Sequence, residues 1–142
     1  MSQLLVFNLY SVNTKKKTDT KFNSGKEPEV FDKALKDTFN INAVAYAHLF
    51  NYFMPLVLQG NAKKVIALST GLADLELTRD LDLWMAIPYC VSKAALNMVI
   101  AKFSAEYREK GVLVLGMSPG VVATNDLSDG ELPSPISDSY DY

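Results

Sequence analysis

Three short apolar runs rich in branched residues constrain this chain more than any other feature: Leu4-Leu5-Val6-Phe7, Val65-Ile66-Ala67-Leu68 and Val112-Leu113-Val114-Leu115. Each is apolar at consecutive positions and flanked by polar or small residues, the pattern of a strand suited to burial on both faces. Between the first two, Val30, Phe31, Ala34, Leu35, Phe39 and Ile41, then Val44, Tyr46 to Phe50 and Phe53, recur at helical spacing. They follow a polar stretch at residues 11–28 that carries Lys15, Lys16 and Lys17, so a loop and then a long helix are predicted. Between the second and third runs, Pro88 stands where a first helical turn tolerates it. Leu96, Val99, Phe103 and Tyr107 then form a stripe that closes near Gly111, which predicts a second helix over residues 88–110. Strand, helix, strand, helix, strand is the order of a parallel α/β sheet with right-handed crossovers. If the strands lie in sequential order, both helices fall on one face, and the apolar opposite face is left without a helix to cover it.

The remaining bounds come from composition. The 142 residues are 49% hydrophobic, enough for one domain with a sizeable core over residues 1–125. Residues 126–142 are acidic, contain Pro133 and Pro135, and offer almost nothing to bury, which predicts a disordered tail. Fourteen basic against sixteen acidic residues give a net charge of -2, so no basic surplus meets the polyanion of nucleic acid or of an anionic membrane. Neither partner is expected. The first apolar run is too short for a signal peptide, and no stretch approaches the ~20 apolar residues of a spanning helix. The single cysteine, Cys90, excludes an internal disulfide and a Cys-based zinc site, and a cytoplasmic, reducing compartment is expected.

Chemistry concentrates in two places. Tyr89-Cys90-Val91-Ser92-Lys93 puts Tyr89 and Lys93 one helical turn apart on a shared face. An ammonium beside a phenol favours the phenolate, which suits the pair to exchanging a proton with a carbonyl or alcohol. By itself a pair at this spacing is most often a surface tyrosine with a solvated lysine. Its surroundings sharpen it: Val65-Ile66-Ala67-Leu68-Ser69-Thr70-Gly71 places two hydroxyls just past a strand's carboxyl end, where ligands bind in open α/β sheets. Ser118-Pro119-Gly120-Val121-Val122-Ala123-Thr124 does the same after the third strand.

These residues resemble the short-chain dehydrogenase/reductase family, marked by a Tyr-x-x-x-Lys pair, a Ser-bearing strand end upstream and a Pro-Gly turn downstream. The segment PYCVSKAALNMVIAKFSAEYREKGVLVLGMSPGVVAT matches it almost continuously. Upstream, Leu5-Val6-Phe7-Asn8 looks like the end of the family's fourth strand, with only Asn8 kept from its Asn-Ala-Gly, and Asn42 matches the family's helix asparagine. The resemblance implies a partial Rossmann-like, doubly wound sheet and hydride transfer between NAD or NADP and a small carbonyl or alcohol substrate. It casts Tyr89 as proton donor or acceptor and Lys93 as the group that lowers its pKa and binds the cofactor ribose. Ser69 or Thr70 would orient the substrate oxygen, Asn42 would support the proton relay, and Asn8, Val122 and Thr124 would lie along the nicotinamide half. It also implies a homo- or hetero-oligomer formed through the two long helices.

The family's Gly-rich pyrophosphate turn is not found: the glycines at 25, 60, 71, 111, 116, 120 and 130 form no dinucleotide cluster. The chain reads as truncated at both ends, retaining most of the catalytic half. This leaves open a non-redox protein on the same fold, an interaction subunit, or a fragment of a longer product. The segment from Gly71 to Pro88, with Asp74, Glu76, Arg79, Asp80 and Asp82, is either a wall of the substrate pocket or a solvated loop. Gly116-Met117-Ser118-Pro119-Gly120 fits a hydrolase elbow only superficially, because Pro119 has no N–H to offer an oxyanion. His48, among apolar helical residues and without a ligand partner at suitable spacing, is read as packed or interfacial, and no metal site is expected.

Overall fold

The computed structural model describes residues 4–7 and 28–120. Asn8, Val122, Thr124, the lysine-bearing stretch before residue 28 and the acidic tail fall outside the described residues. Strands β1 (Leu4–Phe7), β2 (Lys64–Leu68) and β3 (Leu113–Met117) form one parallel sheet in the order β1-β2-β3. The third strand runs two residues beyond its apolar run because the Ser69 N–H donates to the Met117 carbonyl at 2.8 Å, carrying the ladder past Leu68.

Sequential order puts the helices on one side. Val65, Ala67, Val112 and Val114, all at most 5% exposed, form a single core with Tyr46, Phe50, Met54, Val57, Leu96 and Ile100 from the helices. Each large side chain in that core contributes roughly 1.5–3 kcal/mol through burial. On the other face, Ile66, Leu68 and Leu115 are half-buried, while Leu113 and Met117 are 48% and 44% exposed. Strands β2 and β3 are therefore apolar on both faces but buried on only one, which corrects the reading of two-sided burial for these two and agrees with the expected uncovered face.

The first helical stretch has three parts: α1 (Pro28–Phe39), a π turn (Asn40–Val44) and α2 (Ala45–Gln59). In α1 the half-buried positions Phe31, Ala34, Leu35 and Thr38 recur at helical spacing, and this helix packs on α4 (Ile87–Tyr107). After the π turn the buried stripe resumes as Tyr46, Phe50, Met54 and Val57. By length and composition, Pro28–Gln59 would be able to cross a membrane. That exceeds the sequence expectation; of α2, Tyr46, Phe50, Met54 and Val57 lie in the core just described, while Tyr52 and Leu56 are exposed. The second long helix stops three residues before the predicted end, continues as a single 3₁₀ turn over Arg108–Lys110, and closes at Gly111, whose φ of 74° lies in the left-handed region that favours glycine.

The connection after β2 is not all loop. Gly71–Ala73 makes a 3₁₀ turn capped by the Thr70 hydroxyl, and Leu75–Asp80 forms α3, capped by Asp74, whose carboxylate accepts the Leu77 N–H at 2.8 Å. Leu75, Leu81 and Trp84 remain exposed along this segment. His48 is also exposed, stacked on Tyr52 at 6.4 Å, so of the two readings, packed or interfacial, the packed one is corrected.

Candidate active site

Helix α4 is stitched to the carboxyl end of β2 by two side chains one turn apart. The Lys93 ammonium donates to the Leu68 carbonyl at 2.7 Å, and the Ser69 hydroxyl donates to Asn97 Oδ1 at 2.5 Å. One turn nearer the helix start stands Tyr89, half-buried, with its ring centroid 5.9 Å from Lys93 Nζ. Lys93 is only 5% exposed, and burial alone pushes its pKa below the ordinary 10.5. Among the described residues it has no carboxylate partner.

Asn42 enters from the π turn. It is fully buried, its Nδ2 donates to Ser92 Oγ at 3.0 Å, and Ser92 Oγ donates in turn to the Tyr89 carbonyl at 2.7 Å. One turn earlier, the Thr38 hydroxyl lies 3.0 Å from the Pro88 carbonyl while also within reach of Ala34 and Leu35 carbonyls. Two side chains of the first helical stretch thus grip the first turn of α4, which carries Tyr89. Asn42 Oδ1 is left buried with no hydrogen-bond partner among the described residues, an unmet acceptor at the centre of this arrangement. A π turn is the device that brings it there: one extra residue in the turn shifts the helical stripe and projects Asn42 inward.

Of the expected residues, Ser69 and Thr70 thus lie just past the β2 end, Tyr89 and Lys93 on the first turns of α4, and Asn42 on the π turn, bonded to α4 through Ser92; Asn8, Val122 and Thr124 lie outside the described residues. Ser69 spends its proton on Asn97, whereas Thr70 Oγ1 accepts the Leu72 N–H at 3.2 Å and keeps its own proton for donation. Sequence reasoning missed Ser92, Asn97 and Tyr46. The first two carried a signal, since they lie on the turns of α4 around Lys93. Cys90 is no activated thiol, because burial raises its pKa. Among the described residues no group of His, Cys, Asp or Glu is able to hold a metal ion.

Burial of Lys93 has a thermodynamic sign. Its folded pKa lies below the unfolded value, so the unfolded chain binds more protons in the window from the folded pKa up to 10.5, and stability rises with pH there. Wild type is expected to gain on Lys93→Met in urea midpoint as pH climbs from neutrality toward 10.5. Parallel midpoints across that range would show that the ammonium is not desolvated.

The profile of the family described as short chain dehydrogenase matches residues 22–131. The chain is similar to the short chain dehydrogenase virK of Hypocrea virens, 51% identical over 100 residues that cover 70% of this chain and 37% of that protein. It is also similar to the short-chain dehydrogenase/reductase iacC of Pestalotiopsis fici, 46% identical over 98 residues that cover 69% of this chain and 36% of that one. Among solved structures, the carbonyl reductase Sniffer of Caenorhabditis elegans superposes with a TM-score of 0.61 at 22% identity, over 86% of this chain and 52% of that one, a likeness of fold. The chain spans a little over a third of the length of each of these two curated relatives. With a profile that covers most of its residues and relatives this similar, the chain belongs to the short chain dehydrogenase family.

Proposed function

We propose that this chain carries the proton-transfer centre of an NAD(P)-dependent oxidoreductase acting on small carbonyl or alcohol substrates. The observation that supports it best is the buried Lys93 ammonium, fixed to the end of β2 and one helical turn from Tyr89. In carbonyl reduction the Tyr89 phenol gives its proton to the substrate oxygen, and the same group takes it back in alcohol oxidation. The Lys93 charge stabilises the phenolate left behind. Thr70, rather than Ser69, supplies the orienting hydroxyl, because the Ser69 proton is engaged by Asn97. Asn42, through Ser92, fixes the turn that presents Tyr89.

The residues present suit the nicotinamide-ribose half of the cofactor. Lys93 spends one N–H on Leu68, and an ammonium has two more for vicinal hydroxyls. When bound, the nicotinamide supplies or accepts the hydride. No glycine cluster suits the pyrophosphate, so we expect weak affinity for the intact dinucleotide. The test is label transfer: the chain, at saturating NADPH deuterated at the hydride-donating carbon, with a panel of aliphatic and aromatic carbonyls. Deuterium in the carbinol carbon is expected, and its absence from every product of a chain that remains folded by circular dichroism would overturn the reading.

We further infer pairing through the outward faces of the two long helices, with a second copy or a relative. Ile41, Val44, Tyr52 and Leu56 on one, and Val91 and Met98 on the other, are exposed apolar residues at helical spacing. Light scattering is expected to find a dimer that Tyr52→Lys with Met98→Glu converts to monomer, and a wild-type monomer at high concentration would sink the idea. A lone, half-buried Cys90 supports a cytoplasmic, reducing setting, which cell fractionation tests.

A further inference from the structure

We propose that Tyr46 is a positioning residue whose ring face holds the Lys93 ammonium beside Tyr89, a role that rests on the proton-transfer reading above. Tyr46 lies on α2 one helical turn beyond Asn42 and is fully buried. Its ring centroid is 5.7 Å from Lys93 Nζ, within the ~6 Å reach of a cation–π contact, and Tyr89 stands at 5.9 Å. The ammonium is therefore set near two phenol rings from two different helices, with a single strand carbonyl as its hydrogen-bond acceptor among the described residues.

The surroundings explain why a ring is needed. The π turn faces this region with Asn42, which is neutral, and the 3₁₀ turn Gly71–Ala73 has no ionisable side chain. Beyond it, the Asp74 carboxylate caps α3 by accepting the Leu77 N–H. On α4 itself the ionisable neighbours are Tyr89 and Cys90, and burial holds the thiol neutral. A buried cation without a carboxylate partner is costly. Aromatic faces offset part of that cost while taking none of its N–H donors, which leaves them for ligand hydroxyls. Tyr46 is itself held in place: Phe50 meets it edge-on at 6.2 Å and 90°, and Phe103 meets Phe50 at 5.2 Å and 76°. A column of rings thus runs from the core to the ammonium.

The test reads Lys93 directly, by NMR titration of the isotope-labelled lysine side chains in the full chain, with Lys93→Met to assign the resonance. Tyr46→Phe keeps the ring and should leave the Lys93 midpoint unchanged. Tyr46→Leu should lower it by about 0.5–1.5 pKa units, the size of a cation–π contact. Should Tyr46→Leu fail to fold, a ring-fluorinated phenylalanine at position 46 keeps the shape, withdraws the negative face and should lower the midpoint likewise. An unmoved midpoint in the fluorinated protein, or a fall as large in Tyr46→Phe as in the ring-free variant, would overturn the role. Because this titration needs no turnover, a chain without hydride-transfer activity would refute the proton-transfer reading and leave the Tyr46 contact measurable.

Discussion

Tyr89→Phe is expected to lower hydride transfer by roughly 10²–10⁴-fold, the range that a positioned general acid or base supplies. The substitution removes one hydroxyl and keeps the ring that stands 5.9 Å from Lys93 Nζ, so the packing of α4 is preserved. Stability should change by less than about 1 kcal/mol, the usual scale for one hydrogen bond. Lys93→Met should cost a comparable factor by a different route, since the phenol then loses the cation that favours its ionised form. The two groups act as a unit, so the double variant should be little worse than either single one. Label transfer from deuterated NADPH gives all three rates. Wild-type rates in Tyr89→Phe would remove Tyr89 from the chemistry and with it the basis for carrying the family's roles to this chain.

How far such roles are visible in a sequence depends on which physical signal they leave. The strands were legible because consecutive branched residues have few other uses, whereas their sequential order entered only as a condition, which the pairing β1-β2-β3 then met. Tyr89 and Lys93 were legible because helical spacing alone puts i and i+4 on one face. The π turn was not: a 3.6-residue period assumes regular winding, so Val44 read as part of the buried stripe although it is 37% exposed, while Met54 and Val57, both buried, were overlooked. The same irregularity buries Asn42, which the spacing left as an ordinary polar position and only the family resemblance singled out. Helix α3 escaped because six residues are too few to display a period, although Asp74 as its cap was a local signal. Tyr46 reaches Lys93 from a different helix, through the packing of α2 on α4, and no local pattern encodes such a contact.

Phe50→Ala is expected to reduce the free energy of unfolding by about 3–5 kcal/mol, the cost of deleting a buried aromatic ring and leaving its cavity. Against the ~5–15 kcal/mol that holds a typical domain together, this is a large share. Phe50 is 1% exposed and is gripped from two directions, by Tyr46 on its own helix and by Phe103 on α4, so neighbouring rings have little freedom to collapse into the space. Urea denaturation measures the loss, and a change below about 1 kcal/mol would show that the three rings are not a rigid unit. Phe50→Leu, which fills most of the volume, should cost much less and leave a folded protein in which Tyr46 lacks its edge-on neighbour. In that variant the Lys93 titration is expected to broaden or shift while the urea midpoint stays close to wild type, because the ring that faces the ammonium is no longer fixed in angle. Core packing and proton transfer are then one problem for this chain: the residues that stabilise the sheet also hold the charge that the proposed chemistry requires.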